Sequence, residues 1–289
     1  MGKTKIIVDS TSDIPVDWLK KYDIDVVPLH IVWPDGESEP DNVRSESELN
    51  EFYKKLENIE AIPTTSQPSV LQFKEAYERV INEGYDSILV LTISTKMSGT
   101  FNSASLAASE FDIPIEVVDT KMASAIISNM ARYARELLER GMDVKEVARK
   151  VREERENDRF HAIFYVSDFN FLVKGGRVNR VTGFVGNLLK IKVGIFINDE
   201  GEMIPFDKAR GFRKAYDMIL SKMEEEGIKI GQKIGIIGVH CNAKSNIDEM
   251  LKLIKERYDV EYFEYTNTGK VISTHVGLGM AGFGVEVLK

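Results

Sequence analysis

The chain has 289 residues, 43% hydrophobic and 29% charged, and its 46 acidic against 38 basic side chains leave a formal net charge of −8. That length accommodates two domains around a substantial core, and the acidic balance argues against nucleic acid as a main partner. No apolar run is long enough to cross a bilayer, and the single cysteine, Cys241, leaves no internal disulfide and fits a reducing compartment. Met1-Gly2-Lys3 leads straight into an apolar run, without the core of a signal peptide, so a cytoplasmic protein is expected.

Lys5-Ile6-Ile7-Val8 reads as a short buried strand running into the loop Asp9-Ser10-Thr11-Ser12-Asp13, with Pro15 ahead of a helix over 16–22. Asp9, at a strand end, invites comparison with aspartate-based phosphatases. Those need a second carboxylate two residues on, where this chain has Thr11, so Asp9 reads as organising its loop. Residues 26–33 read as the next strand, Pro34-Asp35-Gly36 as a turn, 37–44 as a polar excursion and 46–56 as an amphipathic helix.

Two hydroxyl-rich loops follow. Pro63-Thr64-Thr65-Ser66-Gln67-Pro68-Ser69 precedes a helix over 70–83. Ser94-Thr95-Lys96-Met97-Ser98-Gly99-Thr100 follows the apolar strand 88–91 and precedes an Ala-rich helix over 103–111. Loops at the carboxyl ends of parallel strands are where α/β proteins bind ligands. A helix start adds free N–H groups and partial positive charge, which suits a carboxylate or phosphate. Gly99 lets backbone come close, and Ser98 either caps the helix or donates to an anion. Two such clusters could converge on one anion.

Residues 115–119 read as a strand, 121–140 as a long helix, and 144–157 as a helix with a solvated, charged face. The repeated strand–helix order predicts a doubly wound, mostly parallel α/β domain over 1–158.

The remaining residues, 159–289, predict a second α/β domain, a mixed sheet with helices. Residues 160–166 read as a strand, and Gly175-Gly176 as a tight turn followed by Arg177. The apolar stretch 181–189 reads as tunnel lining or as ordinary core. Segments 191–198 and 203–209 form a predicted hairpin. The basic cluster around Lys208, Arg210 and Lys214 stands at a helix start, where the dipole does not favour cations. It is either an anion or partner contact or a plain basic patch. His240 and Cys241 end the strand 233–239, where neighbouring side chains point to opposite faces and are poorly placed for proton transfer. A helix over 243–258 and a strand over 260–265 follow. His275 stands at a predicted strand end before a Gly-rich loop, as an anion donor, a proton acceptor or a structural residue.

These motifs, in this order, resemble the DegV family of fatty-acid-binding proteins, which includes the binding subunits of bacterial fatty acid kinases. The resemblance rests on Val8-Asp9-Ser10-Thr11-Ser12-Asp13-Ile14, Thr64-Thr65-Ser66-Gln67-Pro68-Ser69 and the Ser94 loop ending Ser98-Gly99-Thr100. Lys174-Gly175-Gly176-Arg177-Val178, Lys208-Ala209-Arg210 with Lys214-Ala215, and the Gly269 to Gly279 segment around His275 complete it, essentially end to end. It implies two α/β domains with a long acyl chain buried between or within them and the carboxylate held near their junction. Thr65 and Ser98, with His275 nearby, are the implied carboxylate ligands, while Arg177 and Arg210 match basic positions near the carboxylate or a partner surface. Gly211 stands where the family often has Thr, Leu278 where it often has Pro, and Thr95 where it often has a second Ser.

The expected function is therefore non-catalytic binding of a long-chain fatty acid such as palmitate, in lipid transport or fatty acid metabolism, with the carboxylate offered to a separate kinase subunit. No cofactor and no metal is expected. The chain lacks a Gly-x4-Gly-Lys-Ser/Thr loop and an HExxH pattern, and its four histidines have no ligand spacing. Burying a sixteen-carbon tail is worth on the order of 10 kcal/mol before entropy costs, at about 0.8 per methylene. The alternative is a hydrolase or transferase acting on a small anionic substrate, with Asp9, Ser98 and His275 as its nucleophile–base set. A long apolar tunnel favours the lipid, a small polar pocket the enzyme.

Overall fold

The structure, a computed structural model, describes residues 2–42, 45–59, 61–178 and 191–289. The apolar stretch 181–189 lies outside the described residues.

The first lobe opens with β1 (Thr4–Asp9), a single 3-10 turn at Ser10–Ser12, α1 (Val16–Lys21) and β2 (Ile24–Val27). It continues with β3 (His30–Val32), β4 (Ser38–Pro40), α2 (Glu46–Glu57), β5 (Thr64–Ser66) and α3 (Val70–Asn82). Then come β6 (Ser87–Thr92), α4 (Thr100–Ala108) and β7 (Ile115–Asp119). Strands in the order β2-β1-β6-β7 form a wholly parallel sheet. Every residue of β1 and β6 is buried, as expected for parallel strands covered on both faces.

A small antiparallel sheet, β4-β3-β5, sits beside it. The single strand expected over 26–33 is in fact two, β2 and β3, in different sheets, and Pro28 between them has no N–H to continue a ladder. β4 and β5 fall in segments read as a polar excursion and a loop. Three polar residues are too few to display a period of two.

α5 (Ile126–Glu139) and α6 (Val144–Glu156) follow. The helix expected from 121 starts at Ile126, because Lys121 and Ser124 take left-handed φ values of 51° and 66°. One tertiary and one local bond pin that turn: Ser124 N donates to Thr11 O at 2.8 Å, and Met122 N to Thr120 Oγ1 at 3.2 Å.

The second lobe comprises β8 (Phe160–Val166), α7 (Asn170–Gly175), β9 (Ile191–Ile197), β10 (Met203–Arg210) and α8 (Phe212–Glu225). β11 (Lys233–His240), α9 (Lys244–Lys255), β12 (Asp259–Asn267), α10 (Lys270–Val276) and β13 (Ala281–Val287) complete it. Its sheet, β10-β9-β8-β13-β11-β12, is antiparallel except for the β11–β12 pair. The expected α/β class, with one parallel and one mixed sheet, is present, as is the hairpin of β9 and β10. His275 is not at a strand end. It lies in the last turn of α10, whose β-branched Val271, Ile272, Thr274 and Val276 disguise a helix in the sequence.

One continuous core joins the lobes, running from Ile6 and Val8 in β1 through Ile126 and Met130 in α5 to Phe164, Val193 and Val239. At the same junction Glu286 is fully buried, and it accepts from Arg132 Nη2 at 2.6 Å, Arg159 Nη2 at 2.7 Å and the Tyr262 hydroxyl at 2.6 Å. A buried carboxylate persists only with such partners.

Candidate functional site

Asp9 organises the carboxyl edge of the parallel sheet. Its Oδ1 accepts from Thr11 N at 2.9 Å and from Thr11 Oγ1, and its Oδ2 accepts from Ile93 N at 2.7 Å. Oδ1 is thus spent on the turn after β1, and Oδ2 ties that turn to the end of β6. Burial pushes its pKa up to about 6, against the pull of these hydrogen bonds. Fully buried and bonded on both sides, Asp9 does not line the cavity that holds Ser98 and His275, so the nucleophile–base set of the enzyme reading is not assembled.

That cavity, about 260 Å³, lies where β5 and loops of the first lobe meet α10 and Arg177, just past α7. Thr65, Gln67, Ser98, Arg177 and His275 supply its polar wall, and Leu29, Ile93, Met97 and Val271 much of the rest. Thr65 comes from the middle of β5, where its pairing with Ile31 in β3 fixes its direction. Ser98 stands one residue before Gly99, the N-cap of α4. Its Oγ lies 2.8 Å from Thr100 Oγ1 and accepts from Thr100 N at 3.3 Å, so the serine tightens the helix start and still faces the cavity. Gly99 serves a close approach: a Cβ there would lie 2.2 Å from Gln67 Oε1, and Gln67 Nε2 donates to Ser103 Oγ at 2.9 Å.

His275 Nε2 is 2.9 Å from Thr65 Oγ1. Burial first, and the nearby Arg177 charge second, push the imidazole pKa down to about 4, so the ring is neutral at pH 7. Its Nδ1 is buried without a hydrogen-bond partner and sits 2.5 Å from where a Cβ on Gly175 would lie. A neutral ring carries one N–H. Assigning that proton to Nε2 satisfies the donor through Thr65 and leaves only a lone pair unshared, the cheaper omission. Thr65 then accepts from His275 and has its own hydroxyl proton to donate into the cavity.

Arg177 follows Gly176, the left-handed C-cap of α7, and donates to Gly175 O while its guanidinium faces the cavity. Arg210 is exposed at the end of β10 and does not line the cavity. The structure therefore brings Thr65, Ser98, Arg177 and His275 together and leaves Arg210 outside.

Met203, Ile272 and Val276 also line a second, narrow cavity of about 20 Å³ deeper in the core. Its wall is nearly all apolar, with Ala125 and Ile126 at the start of α5, Ala162 and Phe164 of β8, Ile197 of β9 and Phe283 of β13. This lining comes from sheet faces, α10 and the segment leading into α5. Gln67, Thr11 and Met203 also line the polar cavity, with no marker of that role in the sequence. Gln67 stood inside the hydroxyl cluster, where an amide carries no pattern of its own.

Cys241 is buried and burial pushes its thiol up to about 11, so it is a protonated, packed residue. Among the described residues, no group of three or more His, Cys, Asp or Glu is placed to hold a metal ion, and no helix is long and apolar enough to cross a membrane.

A polar wall of hydroxyls, a neutral imidazole and one arginine, beside an apolar crevice with which it shares Met203, Ile272 and Val276, is complementary to an anion with an apolar tail. Comparison with known proteins agrees. The family described as uncharacterised protein, DegV family, matches residues 3–287. A Thermotoga maritima protein named fatty acid-binding protein is 50% identical over 287 residues, 99% of each chain. The solved structure of hypothetical protein TM841 from Thermotoga maritima, which reveals a fatty acid binding function for that protein, is 48% identical, covers 100% of both chains and has a TM-score of 0.93. The structure of a fatty-acid-binding DegV family protein from Thermus thermophilus is 31% identical, covers 99% of this chain and 100% of that one, and has a TM-score of 0.87.

Proposed function

We propose, from the premise that this chain belongs to the DegV family, that it binds one long-chain fatty acid with the carboxylate at Thr65 and Ser98 and the tail in the apolar crevice. The observation that carries this reading is the shared wall: Met203, Ile272 and Val276 line both the polar cavity and the crevice behind it. A single ligand with two chemistries fills such a path.

In this arrangement the carboxylate accepts from Thr65 Oγ1 and Ser98 Oγ. His275 Nε2–H donates to Thr65 and so fixes which way the threonine proton points. Arg177 contributes the opposite charge at the same wall. Charge-assisted hydrogen bonds of this kind are worth roughly 1.5–3 kcal/mol each and set orientation, whereas the tail, at about 0.8 kcal/mol per methylene, sets affinity. The crevice is narrow, and Met203 and Met280 beside it are unbranched side chains that can turn to admit a tail.

The protein holds its ligand and carries out no chemistry on it. It works in the cytoplasm, in lipid transport or fatty acid metabolism, and offers the carboxylate to a separate kinase subunit. Arg210, exposed on the end of β10, serves that partner contact and not the ligand.

Mass spectrometry of the organic extract of purified protein tests the reading. About one fatty acid per chain is expected, with clear loss in a Thr65→Ala/Ser98→Ala double variant. No extracted lipid, together with no binding of added palmitate, would overturn it.

A further inference from the structure

α10 carries His275, yet the start of this helix is held by the other lobe. Its own N-cap, Gly269, has no side chain to offer. Gly269 N donates to Asp13 Oδ1 at 2.6 Å, Lys270 N donates to Asp41 Oδ1 at 2.8 Å, and Val271 N donates to Asp41 Oδ2 at 3.2 Å. These are three of the four N–H groups that a helix start leaves without an intrahelical partner. Asp13 follows the turn after β1 and Asp41 follows β4, so both acceptors come from the first lobe. Both are buried.

Each aspartate is itself tied down. Asp13 Oδ2 accepts from Ser124 Oγ, beside the apolar crevice, and Asp13 O accepts from Thr266 Oγ1 at 2.6 Å. Its φ of 46° is left-handed, a conformation an Asp holds at some cost. Asp41 N donates to Leu29 O at 2.8 Å, and Leu29 lines the polar cavity. The Tyr53 hydroxyl adds a bond to Thr268 O at 2.7 Å just ahead of the helix.

The last turn of α10 meets the first lobe a second time, where His275 Nε2 lies 2.9 Å from Thr65 Oγ1. His275 lies five residues on from Lys270, about 7.5 Å of helix rise. A helix this short transmits any slip of its first turn directly to its last. Asp41 spends both carboxylate oxygens on consecutive N–H groups. An amide could accept only one of them, because its NH2 would face the other donor.

We infer that Asp13 and Asp41 are positioning residues of the ligand site: by anchoring the first turn of α10 on the first lobe, they set His275 against Thr65 and so prepare the threonine to receive a carboxylate. This rests on the proposed fatty acid function. The two carboxylates touch no ligand; they act through His275.

The test compares palmitate with hexadecanol, which has the same tail and no carboxylate, by displacement of a fluorescent fatty acid from the full chain. Wild-type protein that fails to bind palmitate refutes the proposed function itself, separately from this inference. With wild-type binding in place, Asp41→Asn is expected to weaken palmitate about tenfold, one charge-assisted hydrogen bond's worth, and hexadecanol less than about threefold. His275→Ala should show the same split. The Asp41→Asn/His275→Ala double variant should be no weaker than His275→Ala alone, because both changes remove one coupled interaction. Equal weakening of the two ligands, or full additivity in the double variant, would overturn the inference and leave Asp41 as a fold-stabilising residue only. Should Asp41→Asn fail to fold, Asp41→Ser keeps one capping oxygen and drops the second, and the same ratio is read from it.

Discussion

The two ends of the ligand path are built from different material. Around the polar end, Thr65 sits in a three-residue strand, Ser98 in a loop before α4, Arg177 after a left-handed cap and His275 in a seven-residue helix. Around the apolar end, half of the lining comes from sheet strands such as β8, all of whose residues are buried, joined by the start of α5 and by Ile272 and Val276 of α10. Directional chemistry is assembled from short pieces whose positions are set by tertiary hydrogen bonds. Non-directional burial is supplied by the faces of sheets and helices that the fold needs anyway. On this account the inner end governs how tightly a chain of given length is held. The outer end governs which way round it lies and whether a carboxylate is required.

Filling the inner end breaks the comparison most strongly. Ala162→Phe puts an aromatic ring into the crevice; displacing about four methylenes costs about 3 kcal/mol, a loss beyond a hundredfold for palmitate. A twelve-carbon acid should lose far less, and dissociation constants across chain lengths check this. Equal losses at every length would place the tail elsewhere. At the outer end, Thr65→Val removes a donor to the carboxylate and strands the His275 N–H in a buried site. That is expected to cost roughly 2–3 kcal/mol against palmitate and much less against hexadecanol.

Acid titration tests the polar end without changing the ligand. His275 has its folded pKa pushed down to about 4 from an ordinary 6.5. Its contribution to stability is therefore lost as pH falls from 6.5 towards 4, because the unfolded chain takes up the proton first. The loss from His275 is about 2 kcal/mol at pH 5, and His275→Gln should remove that share of the fall in denaturant midpoints between pH 7 and 5, leaving the share of His240, which burial likewise pushes down to about 4. Asp9 runs the other way. Its folded pKa is raised to about 6 from 3.8, so it gains stability as pH falls through 6, and Asp9→Asn should make the acid loss steeper. The smallest effect belongs to Gly99→Ala. The added Cβ, 2.2 Å from Gln67 Oε1, turns Gln67 away and breaks its bond to Ser103, weakening palmitate by about 1 kcal/mol, a few-fold in titration.

The same contrast decides how much was legible in the sequence. β1, β6, β8 and β11 stand out as apolar runs because burial on both faces leaves no alternation to hide them. β3, β4 and β5 are three residues each, and their pairing is settled by tertiary contact. α10 was unreadable as a helix because most of its residues are β-branched, and the N–H groups at its start are satisfied by Asp13 and Asp41, 256 and 229 residues away along the chain. Thr65, Ser98, Arg177 and His275, picked out by motif, line one cavity, and Arg210 does not. Gln67 escaped notice because an amide among hydroxyls carries no distinguishing pattern. No local signal tells a lining side chain from a packing one in the apolar crevice, since both are simply apolar.

The most direct measurement is the crystal structure of the palmitate complex. The account requires a carboxylate oxygen within hydrogen-bond distance of Thr65 Oγ1 and Ser98 Oγ, and a tail that passes Met203 to end beside Phe283. A carboxylate bound away from both hydroxyls, or a tail that leaves the crevice empty, would contradict it.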